Sequence, residues 1–122
     1  MDWNFTSDRP IYLQLMEQIK LGIAAGAYRP GDRLPSVREL AADAAVNPNT
    51  MQKALSELER EGLVYSQRTS GRFISEDTAM LDAVKQDLAR AEAGRFLDTM
   101  ARLGYDKATA LDLLSRVARE EE

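Results

Sequence analysis

The chain has 122 residues, 44% hydrophobic and 30% charged, with a net charge of −4. That is room for one domain with a modest core, or a small domain with an appendage. Cysteine and histidine are both absent, which excludes disulfides, thiolate and imidazole metal sites, and the Ser-His-Asp and Cys-His forms of catalysis. No apolar run approaches the roughly 18 residues of a membrane span, and Met1-Asp2-Trp3-Asn4 lacks the basic start of a secretion signal. A cytoplasmic protein with no catalytic site, metal, cofactor or membrane partner is expected.

Ser7 or Asp8 can cap a first helix with Pro10 in its opening turn. Ile11, Leu15, Ile19 and Ile23 then recur at spacing four, one face of a helix that Gly26 ends. Ala27 to Pro35 is a connector built on the turn Pro30-Gly31. Ser36-Val37-Arg38-Glu39 is a capping box, which opens a short second helix with Val37, Leu40, Ala41 and Ala44 facing inward. After a brief turn at Ala45-Val46, Asn47 caps a third helix whose first residue is Pro48. Met51, Leu55 and Leu58 are its buried stripe and Gly62 closes it. Leu63–Gln67 and Arg72–Ile74 read as two short strands around Thr69-Ser70-Gly71. A long helix fits Thr78 to Leu103, its apolar pattern interrupted at Gly94. Asp106 caps a last helix that carries Ala110, Leu111, Leu114, Val117 and Ala118 inward. The fold class is mainly α with a small β-hairpin: a winged helix-turn-helix over 1–75, followed by a two-helix segment over 76–122.

The net charge alone argues against a polyanionic partner, but its distribution does not. Residues 1–75 carry nine Lys/Arg against nine Asp/Glu, whereas residues 76–122 carry seven against eleven and hold the whole excess. The third helix opens on Asn47, Pro48, Asn49 and Thr50, with Gln52 and Lys53 following. A helix that enters the major groove presents such a turn to base edges, where amides pair bidentately with adenine and threonine contacts either partner or a thymine methyl. Free N–H groups at the same helix end suit phosphate. Asn49, Gln52, Lys53 and Ser56 lie opposite Met51, Leu55 and Leu58, so the buried stripe would fix the orientation of the polar one. Ser36 and Arg38 at the start of the second helix, and Arg68 and Arg72 at the hairpin, complete a candidate DNA surface. Singly, each is ordinary capping or solvation; their order along the chain carries the reading.

Pro30-Gly31-Asp32-Arg33-Leu34-Pro35-Ser36-Val37-Arg38-Glu39-Leu40-Ala41 resembles the signature of the GntR family of bacterial transcription regulators. Val46-Asn47-Pro48-Asn49-Thr50, then Ala54, Leu58 and Glu61-Gly62-Leu63-Val64, extends the match. Pro10-Ile11-Tyr12 with Gln14-Leu15, and the short two-helix tail, resemble the YtrA subfamily. The resemblance implies a winged-helix regulator, on the family's pattern a repressor, that binds a palindromic double-stranded DNA operator as a homodimer. It implies DNA contacts at Arg38, Asn47, Asn49, Thr50, Gln52, Lys53, Ser70, Gly71 and Arg72. The chain departs from the family at Thr69, where the wing usually has a glycine, which leaves the turn geometry open. It departs again at Ala44, where a larger apolar residue is usual and Trp3 or Phe5 could fill the space. Whether a small molecule tunes binding is not written in the sequence.

Beyond Ser75 there are 47 residues. Two helices cannot easily enclose a metabolite, and their apolar stripe needs a partner. Dimerisation through Leu81, Val84, Leu88, Phe96, Leu97, Met100, Leu111, Leu114 and Val117 is the expectation. The alternative function is a winged helix that binds protein without specific DNA binding; the acidic total permits it, and the uncharged-to-basic reading helix and wing speak against it.

Overall fold

A computed structural model describes residues 1–121. In chain order they form α1 (Ile11–Ala24), α2 (Val37–Ala44), α3 (Pro48–Arg60), β1 (Val64–Gln67), β2 (Gly71–Ile74), α4 (Thr78–Arg102) and α5 (Lys107–Glu120). The chain divides into two compact units, Met1–Lys85 and the remainder from Gln86, with the division inside α4.

The first unit is the winged helix. Leu15 and Ile19 of α1, Met51, Leu55 and Leu58 of α3, and Leu63, Val64 and Ile74 of the hairpin are essentially inaccessible to solvent. Leu40, Ala41 and Ala44 of α2 close the same core. Burial of this many aliphatic side chains, at about 1.5–3 kcal/mol each, is what holds the unit together. Local signals set the helix boundaries. The Ser36 hydroxyl accepts from the Glu39 N–H while the Glu39 carboxylate accepts from the Ser36 N–H, both at 3.1 Å. The Asn47 side chain accepts from the Asn49 N–H at 2.7 Å and Pro48 follows it. Between α2 and α3, Ala45 adopts φ 56, ψ 46, a left-handed conformation that costs a non-glycine residue about 1 kcal/mol. That tight reversal sets α3 across α2.

The expected cap of α1 is not made. Pro10 occupies the cap position without any side-chain bond, and the Asp8 carboxylate instead accepts from the Thr6 hydroxyl. The N-terminal segment is held by two glutamines one helical turn apart. Gln14, only 2% exposed, accepts from the Thr6 N–H at 2.8 Å and donates to the Thr6 and Arg9 carbonyls. Gln18 does the same for both backbone groups of Asn4. Because an extended chain alternates its sides, satisfying Asn4 and Thr6 in this way leaves Trp3 and Phe5 to stack on each other, 6.2 Å between centroids, and pack on the core. The Trp3 indole N–H donates to Asp43 at 2.7 Å, beside Ala44. Trp3 thus lies next to that small residue, with Phe5 stacked on it.

The hairpin pairs Val64 with Ile74 and Gln67 with Gly71. Thr69 needs no positive φ: Gly71 carries it, at φ 106, and the Ser70 N–H closes the turn on the Gln67 carbonyl at 3.1 Å. The missing glycine therefore does not open the wing. The connector supplies a third extended piece. Arg33 bridges to Phe73, with the Leu34 N–H donating to the Arg72 carbonyl at 2.9 Å and the Ile74 N–H to the Asp32 carbonyl at 2.8 Å.

The first turns of α4 also belong to this unit. Leu81 is 8% exposed inside the core cluster, and Met80 and Val84 pack against it. Leu81 and Val84 were expected at a dimer interface; Leu81 is instead spent on its own chain, with Val84 beside it. In the second unit α4 runs on through Gly94 without a break. Gly104 (φ 95) turns the chain, and Asp106 caps α5 by accepting from the Thr109 N–H at 2.8 Å. Met100 and Ala110 are buried there, so Met100 too is occupied within the chain. The rest of the expected inward face of α5 is not inward: Leu111 is 56% exposed, Leu114 45% and Val117 41%, and Ala118 is exposed as well.

Candidate nucleic-acid interface

Three elements supply the site: the start of α2, the start of α3 and the hairpin. Capping fixes the first turn of α3. The Asn47 side-chain oxygen is used on the Asn49 N–H, while its amide N–H2 keeps both donors for an outside partner. Asn49, Gln52 and Lys53 are exposed, and Thr50 is half-buried. Met51, Ala54, Leu55 and Leu58 are buried on the other side, so the polar stripe faces outward as its spacing required. The Gln52 amide donates to the Ser56 hydroxyl at 3.3 Å, one turn along the same stripe. The Lys53 ammonium sits 4.1 Å from the centroid of the Tyr12 ring of α1, a cation–π contact that restrains an otherwise floppy side chain. The sequence gives no signal of this contact: Tyr12 stands there only as part of the Pro10-Ile11-Tyr12 stretch that opens the first helix.

Arg38 is exposed one residue into α2. Among the described residues it has no ion-pair partner within 4 Å. Ser36 is engaged in the capping box and contributes by holding the turn that bears Arg38. The Glu39 carboxyl is held below its ordinary range, first by the hydrogen bond from the Ser36 backbone and then by the Ser36 side chain. It therefore stays ionised and leaves the cap intact at neutral pH.

The hairpin differs from expectation. Arg68 and Ser70 are exposed at its turn, but Arg72 points elsewhere. Its guanidinium Nε donates to the Glu59 carboxylate of α3 at 3.4 Å, and its side chain is only 20% exposed. The Ser66 hydroxyl, on the residue that pairs with Arg72 across the strands, donates to the same carboxylate at 2.6 Å. Glu59 thereby ties both strands to the helix that bears the polar turn. It links the wing to that helix and pairs with the Nε of the arginine expected to contact DNA.

The arrangement is an exposed polar helix start together with the exposed arginines Arg38 and Arg68, neither of which has an ion-pair partner within 4 Å among the described residues. No group of three or more carboxylates able to hold a metal occurs among the described residues, and no helix there is long and apolar enough to cross a membrane.

Comparison with known proteins agrees with this geometry. A family model described as "Bacterial regulatory proteins, gntR family" matches residues 11–74. The chain is 43% identical to the uncharacterized HTH-type transcriptional regulator YhcF of Bacillus subtilis, over 92% of this chain and 93% of that one. It is 51% identical to the HTH-type transcriptional repressor YtrA of the same organism, over 58% and 55%. Among solved structures, a GntR family transcriptional regulator from Listeria monocytogenes superposes with a TM-score of 0.83 at 35% identity, covering 92% of this chain and 98% of that one. AraR(DBD) in complex with operator ORX1 matches 62% of the chain and 96% of that one, at a TM-score of 0.57 and 29% identity.

Proposed function

The chain belongs to the gntR family of bacterial regulatory proteins and is a DNA-binding transcription regulator, and from that premise we propose that it is a cytoplasmic repressor that binds a palindromic operator as a homodimer. Repression is what its relative YtrA is named for, and operator binding is what the AraR domain is seen to do. The observation that carries the reading is the outward-facing turn Asn47–Lys53, fixed by caps at its start and by a buried stripe behind it.

The proposed roles follow from chemistry. Asn49 and Gln52 read base edges by paired donor and acceptor, and Thr50 contributes a hydroxyl and a methyl. Asn47 and Lys53 hold phosphates at the helix start. Arg38 reaches a guanine or a phosphate from α2. Arg68, Ser70 and Gly71 place the wing turn along the backbone. Leu88, Phe96, Leu97, Leu111, Leu114 and Val117 form the dimer contact, around an open apolar groove lined by Ala89, Ala93, Phe96, Leu97, Leu111 and Leu114. A two-fold dimer offers two copies of α3 to half-sites about one helical turn apart.

The test is a fluorescence anisotropy titration against the DNA upstream of the chain's own gene, at several salt concentrations and with scrambled competitor. Binding that resists competitor and falls steeply with salt is expected. Arg38→Ala should weaken it by about 1–3 kcal/mol, the range for a good bidentate base contact, with the circular dichroism unchanged. An Arg38→Ala protein of unchanged affinity removes Arg38 from the site. Binding no tighter than to scrambled DNA, on every upstream fragment tried, speaks against the reading.

A further inference from the structure

We propose that Arg33, in the connector between α1 and α2, is a further phosphate-binding residue and supplies the positive charge that Arg72 does not. The inference rests on the DNA-binding reading above. Its ground is the third extended piece of the wing sheet. The bonds from Leu34 to Arg72 and from Ile74 to Asp32 bracket Arg33 on both sides, and its own pairing is with Phe73. A residue two positions before a proline in a turn-rich loop would ordinarily carry a loose side chain. Here its backbone is fixed as firmly as a strand residue.

The side chain then runs toward the wing. A Cβ placed on Gly71 would lie 3.2 Å from the Arg33 Nε and 3.6 Å from one of its terminal nitrogens. The guanidinium thus lies against the bare Cα of Gly71, the first residue of β2 after the turn. Gly71 has two reasons to be glycine: its φ of 106, and the room it leaves for Arg33. Arg33 is exposed, and among the described residues no carboxylate lies within 4 Å of it. The charge of Glu39, at the start of α2, is felt at a distance. Arg72, by contrast, is committed to Glu59. Arg33 therefore adds a second available cation at the wing, beside Gly71, to the exposed Arg68 of the turn itself, and stands three residues before the turn that bears Arg38. A guanidinium held in place with free donors suits a phosphate oxygen.

The experiment compares wild type, Arg33→Gln, Arg33→Lys and Arg72→Gln in the operator titration over a salt series. A phosphate contact contributes about one to the slope of log affinity against log salt. Arg33→Gln should lower that slope by about one per chain, about two for a dimer, with the same loss on operator and scrambled DNA. Arg33→Lys should restore the slope. Arg72→Gln should leave it within error of wild type. Wild type that binds with a slope unchanged in Arg33→Gln overturns the assignment of Arg33 and leaves the DNA-binding reading standing. Wild type that fails to bind DNA at low salt overturns both. If Arg33→Lys behaves like Arg33→Gln, the effect is packing against Gly71 and not charge, and the proposal falls.

Discussion

Helices α3 and α5 are nearly the same length, 13 and 14 residues, and both are amphipathic. Their fates differ. In α3 the apolar stripe is used up by its own chain: Met51, Ala54, Leu55 and Leu58 are all buried. In α5 only Ala110 is buried, while Leu111, Leu114 and Val117 remain 41–56% exposed. The polar faces differ in the opposite sense. That of α3 opens on an uncharged turn suited to reading bases, whereas that of α5 carries the ordinary pair Arg116–Asp112 at 2.7 Å. An amphipathic helix tells that a partner exists and not which one. In α3 the partner is the rest of the domain, and the outward face is left to solvent; in α5 the apolar face itself is left exposed, the face on which the proposed dimer rests.

The comparison can be broken most severely in the core. Leu58→Ala should destabilise the winged helix by about 2–5 kcal/mol, at every protein concentration, as read by chemical denaturation. Leu114→Asp should leave the unfolding of the winged helix near wild type and reduce the sedimentation coefficient to that of a monomer, with specific operator binding lost. A Leu114→Asp protein that remains dimeric would show that the exposed stripe of α5 is not the contact. A smaller effect sharpens the account of the polar face: Tyr12→Leu removes the ring beneath Lys53 and should cost about 0.5–1 kcal/mol of operator affinity, the range for exposed cation–π contacts. Tyr12→Phe should restore it.

The smallest effect concerns pH. Hydrogen bonds in the capping box hold the folded Glu39 carboxyl below its unfolded value, the Ser36 backbone bond first. Stability from this group is therefore present above the ordinary carboxylate range and is lost as pH falls through the lowered folded value. The gap in melting temperature between wild type and Glu39→Ala should be open at pH 7 and close as the pH is taken below that range. Asp106, held low in the same way by the Thr109 backbone, should show the same sign in α5. A gap for Glu39→Ala that widens in acid would contradict the capping assignment.

The parts legible in the sequence are those with local causes. The box Ser36–Glu39, the cap Asn47 with Pro48, the stop at Gly62 and the cap Asp106 depend on residues within one turn of each other, and they form as expected. So does the outward polar stripe of α3, because its opposite face is apolar at helical spacing. What could not be read depends on partners distant in sequence. Lys53 meets Tyr12 across 41 positions, and Arg72 turns to Glu59 because strand register brings Ser66 beside it. Arg33 becomes a sheet residue only because β2 offers an open edge. Leu81 fits a dimer stripe and a core residue equally well by spacing, and α4 begins close enough to the core for the second to win. The cap expected at Ser7 or Asp8 fails because Gln14 and Gln18 hold the segment through its backbone, which no capping pattern encodes.

The most direct test of the central claim is the stoichiometry of the operator complex, read by fluorescence-detected sedimentation of a labelled upstream duplex at rising protein concentration. Two chains per duplex are expected to bind in one cooperative step, with Leu114→Asp abolishing that step while its winged helix stays folded. Single chains bound one at a time, with the same affinity in wild type and Leu114→Asp, would contradict it.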